Sequence, residues 1–174
     1  MYTRKALLPD VEQIYRLISS YSGDGTLLPR TLAEICENVR DFVVLERETV
    51  VHQREIIGCG ALHLYGPHLA EIRSITVSPL HQSFGGGRLL IDALLAEAAE
   101  HKVTSICLFT RIPEFFSRLG FSVAVREQIP DKMYKDCLNC PRLHNCDEVA
   151  MVRGELPKVS ILGQSEGDFV RLFA

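Results

Sequence analysis

The chain has 174 residues, 47% of them apolar, with 19 basic side chains against 22 acidic ones and a formal charge of −3. That length suits one domain with a sizeable core, and the lack of any polybasic run argues against nucleic acid or an anionic membrane as a partner. No apolar run approaches a membrane span, and the opening MYTRKALLPD lacks the apolar core of a secretory signal, so a cytoplasmic location is expected.

The elements alternate along the chain. Tyr2 to Lys5 reads as a short strand, and Asp10 precedes a helix whose Val11, Ile14, Leu17 and Ile18 share one face until Gly23-Asp24-Gly25 breaks it. Thr31-Leu32-Ala33-Glu34 has the form of a capping box, opening a second helix lined by Leu32, Ile35 and Val39. Phe42 to Leu45 and Ile56 to Leu64 read as strands joined by a polar hairpin, and Glu71 to Val77 as a third that Ser78-Pro79 ends. A long helix runs from Arg88, with Leu90, Ile91, Leu94, Leu95 and Ala98 at helical spacing. Ser105 to Thr110 is another strand, and Pro113 to Leu119 a short helix stopped by Gly120. Phe121 to Val125 and Val149 to Val152 complete the sheet; residues 1–156 are taken as the domain and 157–174 as a tail. Cys36, Cys59 and Cys107, isolated in apolar surroundings, read as buried reduced thiols rather than a disulfide framework.

The segment with most chemical content is Gln82-Ser83-Phe84-Gly85-Gly86-Gly87, between a buried strand and a helix N-terminus. Glycines let the backbone bend sharply and present bare N–H groups, and the helix dipole adds positive potential, which together suit a diphosphate. Arg88 strengthens that reading, because a cation in a helix's first turn is unfavourable unless an anion lies in front of it. A nucleoside-triphosphate loop would need Gly-Lys-Ser/Thr after the glycines, and a dinucleotide fingerprint would need Gly-x-Gly-x-x-Gly; neither is present. Gln82-x-x-Gly85-x-Gly87 instead resembles the Arg/Gln-x-x-Gly-x-Gly/Ala loop of the Gcn5-related acetyltransferases (GNAT). That resemblance implies an α/β fold with a mixed, mostly antiparallel sheet flanked by about four helices. It also implies acetyl-CoA as co-substrate, its pyrophosphate held by Gln82, Gly85, Gly86, Gly87 and Arg88, and its pantetheine arm paired with peptide groups at Ile75 and Val77.

Several segments resemble one branch of that family, the stand-alone glutamate N-acetyltransferases that begin arginine biosynthesis: LLPRTLAEICENVRDFVV, IIGCGALHLY, LAEIRSITVSP, PEFFSRLGF and KMYKDCLNCPRLHNCDEVAM. The branch implies L-glutamate as acceptor, its carboxylates taken by Arg30, with the Leu28 backbone nearby, and by Arg73. Guanidinium forks match carboxylates, and Arg73 interrupts an apolar strand where a buried cation needs an anion. Glu71 matches the family's acceptor-site glutamate and is the expected base for the substrate ammonium, acting directly or through a water. Many family members carry a tyrosine, as acid for the leaving thiolate, where this chain has Phe116; Glu114, Ser117 and Thr110 stand nearby without one being preferred. A homodimer is common in this fold.

Cys137-x-x-Cys140 followed by Cys146, with His144 between, is a candidate three-thiolate structural zinc site. His63, a lone strand histidine, is read as structural. Two alternatives stand beside glutamate acetylation: the same transfer to another small amine or a protein N-terminus, and a CoA- or metal-binding module without turnover.

Overall fold

The structure, a computed structural model, describes residues 1–23, 25–48, 53–140 and 142–156; the tail at 157–174 lies outside the described residues. Seven strands and five helices are found among these. The strands are β1 (Tyr2–Lys5), β2 (Phe42–Glu48), β3 (Arg54–Gly66), β4 (Leu69–Val77), β5 (Ile106–Thr110), β6 (Ser122–Val123) and β7 (Val149–Arg153). The helices are α1 (Val11–Ser22), α2 (Leu32–Glu37), α3 (Gly86–Glu100), α4 (Pro113–Ser117) and α5 (Pro130–Lys135). The strand order is β1-β2-β3-β4-β5-β7-β6. β1/β2, β2/β3, β5/β7 and β6/β7 are antiparallel, and β4/β5 is the parallel pair, through Ala70↔Ile106 and Glu71↔Cys107.

The residues group into two compact units that interleave in sequence: Met1–His63 with Ile72–Glu100, and Leu64–Glu71 with the described part of His101–Ala174. In the first, Ile14 and Ile18 of α1, Ile35 of α2, and Phe42, Val44, Cys59 and Ala61 of β2 and β3 make one buried cluster. Alternation on β3 sends Gly58 and Gly60 to the other face, toward α3. A Cβ on Gly58 would stand 3.3 Å from Leu90 Cδ1 and 2.8 Å from the Thr76 carbonyl, and one on Gly60 3.1 Å from Leu94 Cδ1. Bare backbone there lets α3 press Leu90, Ile91, Leu94 and Ala98 fully out of solvent, each larger side chain contributing about 2 kcal/mol. In the second unit Tyr65, Leu69, Cys107, Ile129 and Ala150 form the core.

The capping box at α2 forms as its sequence dictates: the Thr31 hydroxyl accepts from the Glu34 N–H, and the Thr31 N–H donates to the Glu34 carboxylate at 2.7 Å. α4 ends at Ser117, with Gly120 taking a left-handed φ of +84° just beyond it. The strand expected over Phe121–Val125 shrinks to Ser122–Val123, because Phe121 turns inward and meets the Phe116 ring edge-on at 6.0 Å. Cys59 and Cys107 are buried free thiols, whereas Cys36 is exposed: it lies off the buried stripe that Ile35 gives α2. A fifth helix, α5, is absent from the sequence reading: it has no side-chain cap, and its buried residues include the charged Asp131 and Lys132, so no apolar stripe marks it.

Asp10 does not cap α1. Its carboxylate accepts from Arg4 Nη1 at 2.7 Å and from the Leu7 N–H, while Arg4 Nη2 reaches Glu46, a buried acid that also accepts from the Tyr2 hydroxyl. The Arg4 hydrogen bond holds Asp10 below the usual carboxylate range against partial burial. For Glu46, burial pushes upward, but the Tyr2 and Arg4 hydrogen bonds outweigh it and the net direction is down. Carboxyls depressed in the folded state contribute stability above their unfolded pKa, near 4, that is lost as pH falls through the folded values. Wild-type stability is therefore expected to drop in acid. Arg4→Met, which strands both acids, should lose about 3 kcal/mol at neutral pH, with the gap narrowing in acid; urea unfolding across a pH series measures both.

Candidate active site

In the first unit the glycine turn closes directly onto α3. Ser83 and Gly85 both take left-handed φ, +70° and +82°, and the Leu89 N–H reaches the Gly85 carbonyl to start the helix. A Cβ on Gly86 would stand 2.6 Å from Leu45 Cδ2, so this first helical residue lies tight on β2. The first-turn N–H groups of a 15-residue helix have no intrahelical acceptor and form an anion-binding end. Gln82 Nε2 donates to Tyr21 Oη at 2.8 Å, and Tyr21 donates to the Val77 carbonyl at 2.5 Å. The turn is thereby tied to α1 and to the end of β4. Arg88 pairs with Asp92 one turn along, at 3.0 Å and exposed, so its charge is already met on the helix and does not by itself call for an anion in front.

Also in the first unit, Arg30 and Arg73 each stand near an acid, Glu34 and Asp41 respectively. Thr31 holds Glu34 below its ordinary range against partial burial, and the positive charges of Arg30 and Arg73 add to that effect. Arg30 Nη1 lies 3.8 Å from Glu34, and Leu28 is half exposed just ahead. Arg73 is largely buried, its Nη2 3.1 Å from His63 Nδ1 and 3.9 Å from Asp41 Oδ2. His63 Nδ1 in turn lies 3.0 Å from Asp41. A guanidinium only donates, so an unprotonated Nδ1 accepts from Arg73 and a protonated one donates to Asp41. His63 thus joins the surroundings of Arg73; its lone place on a strand gave no sign of that.

A left-handed residue sits in the middle of β4, Ser74 at φ +54°, the backbone signature of a bulge. Arg73 meets His63, on the β3 face shared with Cys59 and Ala61, while Ile75 Cδ1 lies against Gly60 on the opposite face. Regular alternation would put residues 73 and 75 on one side; the bulge at Ser74 parts them.

In the second unit Glu71 is not the solvated strand-end carboxylate its position suggests. It is 3% exposed, its Oε1 2.7 Å from Lys132 Nζ and its Oε2 accepting from the Tyr65 hydroxyl at 2.9 Å. Lys132 also reaches Asp136 Oδ2 at 2.9 Å, and Tyr65 Oη lies 3.2 Å from the same oxygen. Burial works against the Lys132 charge, but Glu71 and Asp136 outweigh it and raise the ammonium pKa above its ordinary value. Lys132 lies in the KMYKDC segment, yet its meeting with a residue 61 positions earlier carries no local signal.

The zinc expectation fails. Among the described residues no three His, Cys, Asp or Glu side chains are placed to hold a metal, and Cys137, Cys140 and Cys146 are all free thiols. Burial pushes the Cys137 thiol up to about 11, and Cys146 lies beside Glu148. Phe116, at the place of the family's tyrosine, is buried edge-on to Phe115 and Phe121.

The acetyltransferase (GNAT) family matches residues 9–121 of this chain. An uncharacterized N-acetyltransferase of Chlorobaculum tepidum is 37% identical over 150 residues, 86% of this chain and 94% of that protein. An amino-acid acetyltransferase of Mycobacterium tuberculosis is 34% identical over 119 residues, 68% of this chain and 67% of the relative. The solved N-acetylglutamate synthase of Neisseria gonorrhoeae, complexed with coenzyme A and N-acetyl-glutamate, superposes with a TM-score of 0.76 at 25% identity, covering 89% of this chain and 35% of that one. The fold and its glycine turn define an acetyl-CoA-dependent N-acetyltransferase. The chain belongs to the acetyltransferase (GNAT) family. None of its described helices is long and apolar enough to cross a membrane.

Lys132→Met would leave Glu71 and Asp136 without their shared cation and should cost about 3 kcal/mol at neutral pH. A lysine pKa raised by folding contributes stability that is full below its unfolded value, near 10.4, and lost as pH rises through the folded one. Wild-type protein should therefore weaken in strong alkali by a component that Lys132→Met lacks, read by urea unfolding.

Proposed function

We propose that this protein transfers the acetyl group of acetyl-CoA to the α-amine of L-glutamate by direct attack, giving the N-acetylglutamate that opens arginine biosynthesis. The observation that carries the choice of acceptor is that two guanidinium groups of the first unit face acids, Arg30 at 3.8 Å from Glu34 and Arg73 at 3.9 Å from Asp41. Guanidinium groups that already face acids are suited to exchange them for the carboxylates of a dicarboxylic amino acid. The relatives named for amino-acid acetylation, and the Neisseria gonorrhoeae enzyme holding N-acetyl-glutamate, support the same class of acceptor.

On this reading Gln82, Gly85, Gly86, Gly87 and Arg88 hold the pyrophosphate, the α3 N–H groups supplying fixed donors. Peptide groups at Ile75 and Val77 pair with the pantetheine arm as an added strand and supply the N–H that meets the charge developing on the thioester oxygen. The Val77 peptide is steadied for this by Tyr21 and Gln82 at its carbonyl. Glu71, two residues before Arg73 on β4, takes the ammonium proton, leaving nitrogen an electron pair with which to attack the thioester carbon. The C–S bond then breaks, the CoA sulfur leaves as a thiolate, and the nitrogen gives its second proton to that thiolate, so that the amide and the CoA thiol are formed. A thiol of pKa about 8.5 leaves without an acid, consistent with a phenylalanine at position 116.

Steady-state kinetics with glutamate test the assignment. Arg30→Ala and Arg73→Ala should each raise the glutamate KM roughly tenfold or more, while the acetyl-CoA KM changes by less than about threefold. Glutamate KM values that do not move would overturn the carboxylate assignment.

A further inference from the structure

Glu71 accepts a proton on an oxygen lone pair, and each of its two oxygens already gives one of its two lone pairs to a donor. Lys132 Nζ holds Oε1 at 2.7 Å and the Tyr65 hydroxyl donates to Oε2 at 2.9 Å. The two partners differ in kind. The ammonium carries three donors and reaches Asp136 as well as Glu71. The phenol carries one proton and lies within reach of two carboxylate oxygens, Glu71 Oε2 and, at 3.2 Å, Asp136 Oδ2. It satisfies only one at a time.

We propose that Tyr65 is a positioning residue that caps and uncaps Glu71, turning its hydroxyl from Glu71 Oε2 to Asp136 Oδ2 when the base must work. The role rests on the assignment of Glu71 as base in the reading above. Rotation about the Cζ–Oη bond exchanges one charge-assisted hydrogen bond for another, so the turn loses no bond. Lys132, fixed on both acids, keeps the two acceptors in place while the hydroxyl moves.

With the hydroxyl on Asp136, Glu71 Oε2 is open. The substrate N–H bond breaks, its electron pair stays on nitrogen for the attack on acetyl-CoA, and the proton forms an O–H bond on Glu71. That new O–H then donates to Tyr65 Oη, whose own proton remains directed at Asp136, so all three groups are bonded in one direction. Tyr65 itself stays protonated throughout: burial, with Glu71 and Asp136 beside it, pushes the phenol pKa far above its usual value.

The experiment is a double-mutant cycle on kcat and KM with glutamate and acetyl-CoA, each variant first checked by thermal melting. Asp136→Asn replaces a charged acceptor by a neutral one, so the hydroxyl stays on Glu71; kcat should fall roughly thirtyfold, with the acetyl-CoA KM within about twofold. Tyr65→Phe removes the cap together with the acceptor for protonated Glu71 and should lower kcat roughly fivefold. With no cap left to release, Asp136 keeps only its pairing with Lys132, so Tyr65→Phe/Asp136→Asn should be faster than Asp136→Asn alone. Merely structural roles in one network couple without rescue, so a double variant as slow as Asp136→Asn or slower would overturn the capping role while leaving the acetylation reading intact. Asp136→Ser carries the same comparison if Asp136→Asn does not fold. Wild-type protein that acetylates no amine would overturn both.

Discussion

The constraint on which the proposed carboxylate-binding region depends is the break in alternation on β4. A strand presents successive side chains to opposite faces, so Arg73 and Ile75 would share a side in a regular strand. Ser74, at φ +54°, inserts a left-handed step between them. Arg73 can then lie among His63 and Asp41 while Ile75 lies against Gly60 and α3. One strand thereby carries a cation to one side of the sheet and continues as an apolar support for the glycine turn on the other. A serine holds this conformation without the freedom of glycine, at a cost the packing on both sides must offset.

The second organising interaction is the exchange of charge among Glu71, Lys132 and Asp136. An isolated carboxylate at 3% exposure is untenable without a cation and hydrogen bonds. Lys132 and Tyr65 supply these, and the price is that the acid thought to take the substrate proton is held at both oxygens. Burial keeps Glu71 in one orientation, and a single mobile phenol proton is the part of this arrangement able to change.

Much of the scaffold was legible from sequence because its signals are local. The Thr31/Glu34 capping box, the Ser78-Pro79 stop, the left-handed Gly120 and the apolar stripe of α3 each act over a few residues, and all are found where their residues stand. The glycine turn was legible for the same reason. What sequence hid depends on residues far apart in the chain or on a single dihedral. Lys132 gives no local sign of its partner Glu71, His63 reads as a structural residue until Arg73 is brought to it, and nothing in Ile72-Arg73-Ser74-Ile75 announces a bulge. The thiols mislead in the opposite way: Cys137-x-x-Cys140 has a ligand's spacing, but spacing does not make three sulfur atoms converge.

The central claim is that a GNAT enzyme with paired guanidinium groups acetylates the amine of a dicarboxylic amino acid. The most direct measurement is mass detection of the products formed from acetyl-CoA and an equimolar mixture of glutamate, glutamine, aspartate and spermidine, a method blind to the protein's own thiols. N-acetylglutamate as the dominant product is the predicted result. Acetylated spermidine in its place, or no acetylated amine while the protein binds CoA, would contradict it.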